Sequence, residues 1–150
     1  MNISTKYPQF YLRLAVGVGF IVPVLDRLGL VGGPGHSNIS WGDWDHFIGF
    51  TGMLMPFLGK TMVNAAGFIA TLLEIVFGIC LILGFKTRIM AVGSFLLTLI
   101  FGLSMALFLG FKAPLNFSVF PCSAGSLLLA TLAGYEWSLD NYLTRRNLIK

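Results

Sequence analysis

The sequence predicts an all-α integral membrane protein, an antiparallel four-helix bundle with an extra interfacial helix in its first loop. Three observations predict it. Of 150 residues, 56% are hydrophobic and 11% are charged, against roughly 25% charged in a soluble domain. Apolar runs recur at the length a bilayer requires, about 20 residues. The basic residues gather at alternate ends of those runs. So few charges cannot cover a sphere of this size in water, and disorder needs the opposite composition, low hydrophobicity and high charge. The net charge of +4 is scattered without a basic stripe, so nucleic acid is not an expected partner.

The first span is expected at about residues 10–29, with Arg13 near its start and Asp26-Arg27 near its end. Arg13 interrupts the early apolar run, and no small-residue cleavage site precedes a polar region. Residues 1–30 therefore read as retained rather than as a cleaved signal. The outer loop, residues 30–63, opens with Gly32-Gly33-Pro34-Gly35, a turn-forming sequence. It then turns aromatic, with Trp41, Trp44, Phe47, Phe50 and Phe57. Trp41, Trp44 and Ile48 recur at helical spacing, and tryptophan favours the membrane–water interface. About residues 41–55 are expected as a helix lying on the membrane or plugging the outer end of the bundle.

The second span covers about residues 64–84 and is apolar except for Glu74. The third, 89–111, runs uncharged between Arg88 and Lys112, and the fourth, 114–134, ends before Glu136. The short connections at Phe85-Lys86-Thr87-Arg88 and Lys112-Ala113-Pro114 force antiparallel neighbours. Pro23 and Pro121 lie inside spans and should kink them. Lys6, Lys86, Arg88, Arg145, Arg146 and Lys150 fall on one side, with Arg13 at that membrane edge. Arg27, Lys60 and Lys112 fall on the other. The excess predicts a multi-pass protein of the cell (inner) membrane, both termini cytoplasmic and the aromatic loop outside.

Lipid tails are as apolar as leucine, so cohesion must come from close backbone approach and hydrogen bonds. Gly102, Ala106 and Gly110 form a stripe of small residues spaced by four; Gly17, Gly19 and Gly78 offer further approach points. Glu74 most needs an explanation, because a charge at mid-membrane must face the interior, pair or be protonated. At 1.5 Å per residue, Glu74, Thr98 and Ser123 all lie roughly 15 Å from the same membrane edge, so they can share one layer. Arg13 is shallower. It either reaches toward Glu74 or snorkels to the surface. Glu74 is then either a packing anchor or a proton- or ligand-handling group.

The remaining polar residues carry weaker signals. Gly42-Asp43-Trp44-Asp45-His46, with His36, has residue types that bind zinc, but the spacing fits no metal motif and exposed loop polarity is the expectation. Cys80 and Cys122 differ in depth by roughly 12 Å, beyond disulfide reach. No serine–histidine–aspartate order, phosphate loop or haem-binding histidine pair is present.

Several segments together carry a family resemblance. Glu74-Ile75-Val76-Phe77-Gly78, followed by Leu81-Ile82-Leu83-Gly84-Phe85-Lys86-Thr87-Arg88, resembles the second-helix signature of DoxX-like membrane proteins. Leu12-Arg13-Leu14-Ala15 with Gly17 resembles that family's first helix, and Gly134 with Ser138-Leu139-Asp140 its chain end. The resemblance implies a four-helix membrane bundle and carries the family's arginine and glutamate onto Arg13 and Glu74. Some members are associated with thiosulfate:quinone oxidoreductase, and others with respiratory or oxidative-stress complexes. It therefore implies an accessory or anchor subunit of a quinone-linked redox system, with quinone a ligand by analogy only. No flavin, haem or metal ligand set is visible, so autonomous redox catalysis is not expected. Besides the lipid bilayer, the candidate partners are redox-complex subunits and further copies of the chain. Two other functions stay open: a small-solute or lipid-binding transporter-like protein with Glu74 as a proton or cation site, and a purely structural interaction module.

Overall fold

The computed structural model describes residues 5–148. Lys150, counted in the orientation argument, lies outside them. The described residues form seven helices: α1 (Lys6–Arg27), α2 (Trp44–Leu54), α3 (Lys60–Leu83), α4 (Thr87–Phe108), α5 (Lys112–Asn116), α6 (Val119–Thr131) and α7 (Leu139–Leu148). Helices α1, α3 and α4 are each long and apolar enough to cross a membrane. The run expected as one fourth span, residues 114–134, is divided. Ser118 takes a left-handed conformation between α5 and α6 (φ 53°). Pro121 does not kink a span; it stands in the first turn of α6, where a missing N–H costs nothing because that turn's donors lack helical partners.

The long helices mix polar, small and apolar residues on their buried faces and are apolar outside. On α3 the buried positions are Val63, Gly67, Thr71, Glu74, Gly78 and Leu81. On α4 they are Thr87, Ala91, Ser94, Thr98, Gly102 and Met105. Both sets advance by three or four, one face of a helix. Outward stand Phe68, Leu72, Val76 and Ile79 on α3, and Leu96, Ile100, Leu103 and Leu107 on α4. A helix seam of small and hydroxyl residues under a leucine-rich exterior suits packing in lipid. Val16 and Phe20 of α1, Leu81 of α3, Ala91 of α4, and Leu129 and Ala130 of α6 form the apolar core.

Helix α1 packs chiefly on α3, and α4 on α6. The first contact is made by Gly17 and Gly78. A Cβ on either would lie 3.0 Å from the other's carbonyl oxygen. Gly19 meets nothing. Gly102 does face α6, where a Cβ would meet Phe120 at 2.8 Å. Gly110 is not part of that seam; it follows α4 in a turn (φ +91°).

The segments that carry the family resemblance converge at one end of the molecule. Gly84 ends α3 in the left-handed conformation (φ +71°), and a Cβ there would strike Ser138. The Asp140 carboxylate accepts the backbone N–H of Lys86 (2.7 Å) and of Thr87 (2.8 Å), and its own N–H donates to the Gly84 carbonyl (3.0 Å). Asp140 thus caps α4 and ties the α3–α4 turn to the chain end. Asp140→Ala should lower stability by about 1 kcal/mol, the usual worth of such a cap, read as thermal melting in detergent. Asp45→Ala, on the exposed side of α2, should stay within about 0.5 kcal/mol of the parent.

Candidate functional site

The site forms where α1 ends. Gly29 takes a left-handed conformation (φ +70°) and turns the chain out of the helix, the N–H of Leu30 reaching back to the Leu25 carbonyl at 2.9 Å. The loop then returns to the bundle because Asp26 draws it in. Its carboxylate accepts the N–H of Ser40 (2.9 Å), Trp41 (3.3 Å) and Gly42 (2.8 Å). Gly42 (φ +73°) lies so close to the Gly33–Pro34 backbone that no side chain fits. Asp43 caps α2, accepting the backbone N–H of His46 at 2.9 Å, while the His46 ring nitrogen stands 2.8 Å from the same oxygen. The backbone contact, more than the ring, holds the Asp43 carboxyl below its ordinary value. Phe47 and Ile48 of α2 seat on Gly67 of α3.

Arg27, the last residue of α1, does not point out toward solvent. Its side chain folds back along the helix, Nε donating to the Pro23 carbonyl at 3.1 Å. Nη1 donates to Thr71 Oγ1 at 2.9 Å, and Nη2 to Glu74 Oε2 at 2.6 Å. The guanidinium lies 3.9 Å from the Phe47 ring centroid and 5.3 Å from that of Trp41. The Arg27 and Glu74 side chains are 2% and 6% exposed. An arginine's planar fork suits this arrangement, with bonds in its plane and an aromatic ring on its face. The cluster draws α1, α2, α3 and the outer loop onto one ion pair.

Glu74 therefore pairs with Arg27 and not with Arg13. Counting from the Gly17–Gly78 crossing explains why. Arg13 stands level with Ile82, about 12 Å along the helix from Glu74. Pro23 stands level with Leu72, and Arg27, folded back to Pro23, reaches the Thr71–Glu74 turn. Arg13 is fully buried at the other end. It donates to the carbonyls of Trp137 (2.7 Å) and Glu136 (3.4 Å), while Gln9 donates to Glu136 at 3.0 Å. Arg13 is thus drawn inward onto the chain end rather than snorkelling.

Thr98 and Ser123 are buried, but they do not form a hydrogen-bonded layer with Glu74. Thr98 Oγ1 donates to the Ser94 carbonyl (2.7 Å) within its own helix, and Ser123 Oγ donates to that of Phe95 (3.3 Å), a bond that joins α6 to α4. Trp41 packs on Phe47 and Phe50, and Trp44 donates its Nε1–H to Asn64 at 3.3 Å. Cys80 and Cys122 are free thiols. No cluster of three histidine, cysteine or acidic residues suited to a metal occurs among the described residues.

The sequence marked Asp26 and Arg27 only as charges at a span end and Phe47 only as a loop aromatic, and Thr71 not at all, so none was expected beside Glu74. The available signal was Asp26-Arg27, two adjacent charges closing an apolar run, together with Thr71 one turn before Glu74. Chemically, the cluster neutralises a buried carboxylate and fastens a loop; it presents no nucleophile and no set of redox-cofactor ligands.

A family model described as "TQO small subunit DoxD" matches residues 9–149. DoxD is closely related to the DoxX-like proteins that the motifs resemble. No curated protein and no solved structure matches the chain. With the three long apolar helices, the family match supports a membrane location.

Proposed function

The chain belongs to the DoxD family, and on that premise we propose that it is a small accessory or anchor subunit of a quinone-linked oxidoreductase. In this reading it is a multi-pass protein of the inner membrane. Helices α1, α3, α4 and α6 form an antiparallel four-helix bundle, both termini are cytoplasmic, and α2 lies at the outer interface. The observation that carries the reading is the match to a small-subunit family over nearly the whole chain. The site supports an accessory role. Arg27 and Glu74 spend their charges on each other and are sealed. Quinone, as the complex's substrate, then meets this chain only at its lipid-facing surface. The same sealing disfavours a transporter, because a proton or cation site needs access to its carboxylate.

Capture from native membranes in mild detergent tests the proposal. Redox subunits that reduce quinone should be enriched with the bait. Recovery of the chain alone would overturn it. The orientation has its own test, in a background with Cys80 and Cys122 changed to alanine. Ser37→Cys, on the exposed outer loop, should react with an impermeant maleimide in intact cells. Labelling only after permeabilisation would reverse the topology.

A further inference from the structure

The end that holds the Arg13 and Asp140 contacts also carries an open groove of about 530 Å³ between the start of α4, Tyr135 and α7. Lys86 and Arg88 stand on it as cations, Ile89 and Leu143 supply an apolar wall, and Thr87 and Thr144 add hydroxyls. Asp140 also lines it, but both its oxygens are turned onto the backbone N–H groups of Lys86 and Thr87. Arg88 spends one donor on the Leu132 carbonyl at 3.0 Å. Neither Lys86 nor Arg88 makes an ion pair among the described residues. The groove thus keeps two cations against one committed carboxylate.

Two further observations point to a ligand. The Thr87 side chain is fully buried, and its hydroxyl has no hydrogen-bond partner. A buried hydroxyl left unpaired costs free energy that a bound acceptor oxygen returns. An exposed aromatic rim also surrounds this end. Tyr7 packs on Trp137 with ring centroids 5.4 Å apart, and Tyr142 stands on α7. Such rings favour the lipid–water boundary.

We propose that this groove is a binding site for an anionic phospholipid. The headgroup phosphate lies between Lys86 and Arg88 and reaches the Thr87 hydroxyl once the side chains that cover it part, and an acyl chain follows Ile89 and Leu143. A free anion would use the cations and leave the apolar wall idle. A zwitterionic lipid would bring its own cation against Lys86. The site rests on the membrane reading of the chain and is independent of which complex it joins.

Binding is tested on the delipidated, detergent-solubilised chain with phosphatidylglycerol, phosphatidylcholine and glycerol phosphate as probes. Native mass spectrometry counts retained lipid, and thermal melting reads stabilisation. Phosphatidylglycerol should be retained and raise the melting temperature; phosphatidylcholine and glycerol phosphate should do neither. Lys86→Gln should weaken phosphatidylglycerol retention roughly fivefold, the worth of one cation near an anionic surface. Thr87→Val removes only an unpartnered hydroxyl. It should therefore fold normally in neutral lipid and lose the preference. Lys60→Gln, at the other end of α3, should change nothing. Equal retention of both lipids, equal stabilisation by glycerol phosphate, or an unchanged preference in Lys86→Gln would overturn the site. A failed subunit capture would leave these results standing.

Discussion

Glu74→Gln should sharply lower the melting temperature of the detergent-solubilised protein, and Arg27→Gln should do so by a similar amount. The double change should recover part of the loss. Each single change strands a charge in a sealed site. Glutamine at 74 leaves the guanidinium between Thr71 and the Phe47 ring without its counter-charge. Glutamine at 27 leaves a carboxylate facing Thr71. In water-soluble proteins such a stranded charge costs about 3–5 kcal/mol; water defects and side-chain snorkelling reduce that figure in a membrane. A double-mutant cycle isolates the coupling. Purely additive losses for Arg27 and Glu74 would refute the pair. Arg13→Gln combined with Glu74→Gln should be additive within about 0.5 kcal/mol, because the two share no partner and lie well apart. The same variants separate anchoring from chemistry. If Glu74→Gln still captures the redox subunits in the native membrane, the pair is a fastening device. If the subunits are lost while the melting temperature holds, the pair contributes directly to the partner interface.

How much of this was legible in the sequence depends on the range of the signal. Apolar runs between charges mark α1, α3 and α4, because a helix that crosses lipid keeps only the few charges it can bury, as Arg13 and Glu74 are here. The spacing of Trp44 and Ile48 marks α2 for a similarly local reason, but the helix expected from residue 41 starts only at Trp44: Trp41 precedes the Asp43 cap, in the loop that Asp26 holds. The break at Ser118 escaped because no glycine announces it. Its signal was Pro121, which reads as a kink when the span is assumed continuous and as a first turn when it is not. The partner of Glu74 escaped for a different reason. Depth arithmetic counts Cα positions, and it placed Arg27 at the membrane edge. A long side chain that folds back one turn can cover the difference, and only the register between two helices shows which way it folds. That register is set by two glycines a long way apart in the chain. Arg13 and Ser138-Leu139-Asp140 were visible as separate motifs. Their meeting at Gly84 and at the carbonyls of Glu136 and Trp137 is a tertiary fact that no local pattern carries.

Gly78→Leu and Gly17→Leu should each destabilise the protein severely, whereas Gly19→Leu should leave it nearly unchanged. The three glycines are alike in composition and differ in what they face. A Cβ at Gly78 would lie 2.7 Å from Ile21 Cδ1 and 3.0 Å from the Gly17 carbonyl oxygen; one at Gly17 would meet Ile82 at 2.8 Å and the Gly78 carbonyl oxygen at 3.0 Å. The isoleucine side chains can turn aside, but the carbonyls belong to helix backbones and cannot. Overpacking a close contact typically costs about 1–3 kcal/mol. Leucine should exceed that here, because prising α1 from α3 also moves Arg27 away from Glu74. Alanine gives a graded test. Gly17→Ala should cost less than Gly17→Leu, and adding Ile82→Ala should relieve only the share due to that side chain. A Cβ at Gly19 would have nothing within 4 Å, and the position is exposed, so leucine there only adds apolar surface facing lipid. Melting in detergent and the yield of monodisperse protein decide the matter. Equal losses at Gly17 and Gly19 would mean that the crossing does not set the cost, since helix propensity alone favours leucine over glycine at both positions. A normal Gly78→Leu protein would rule out the close approach of α1 and α3 on which the Arg27–Glu74 register depends.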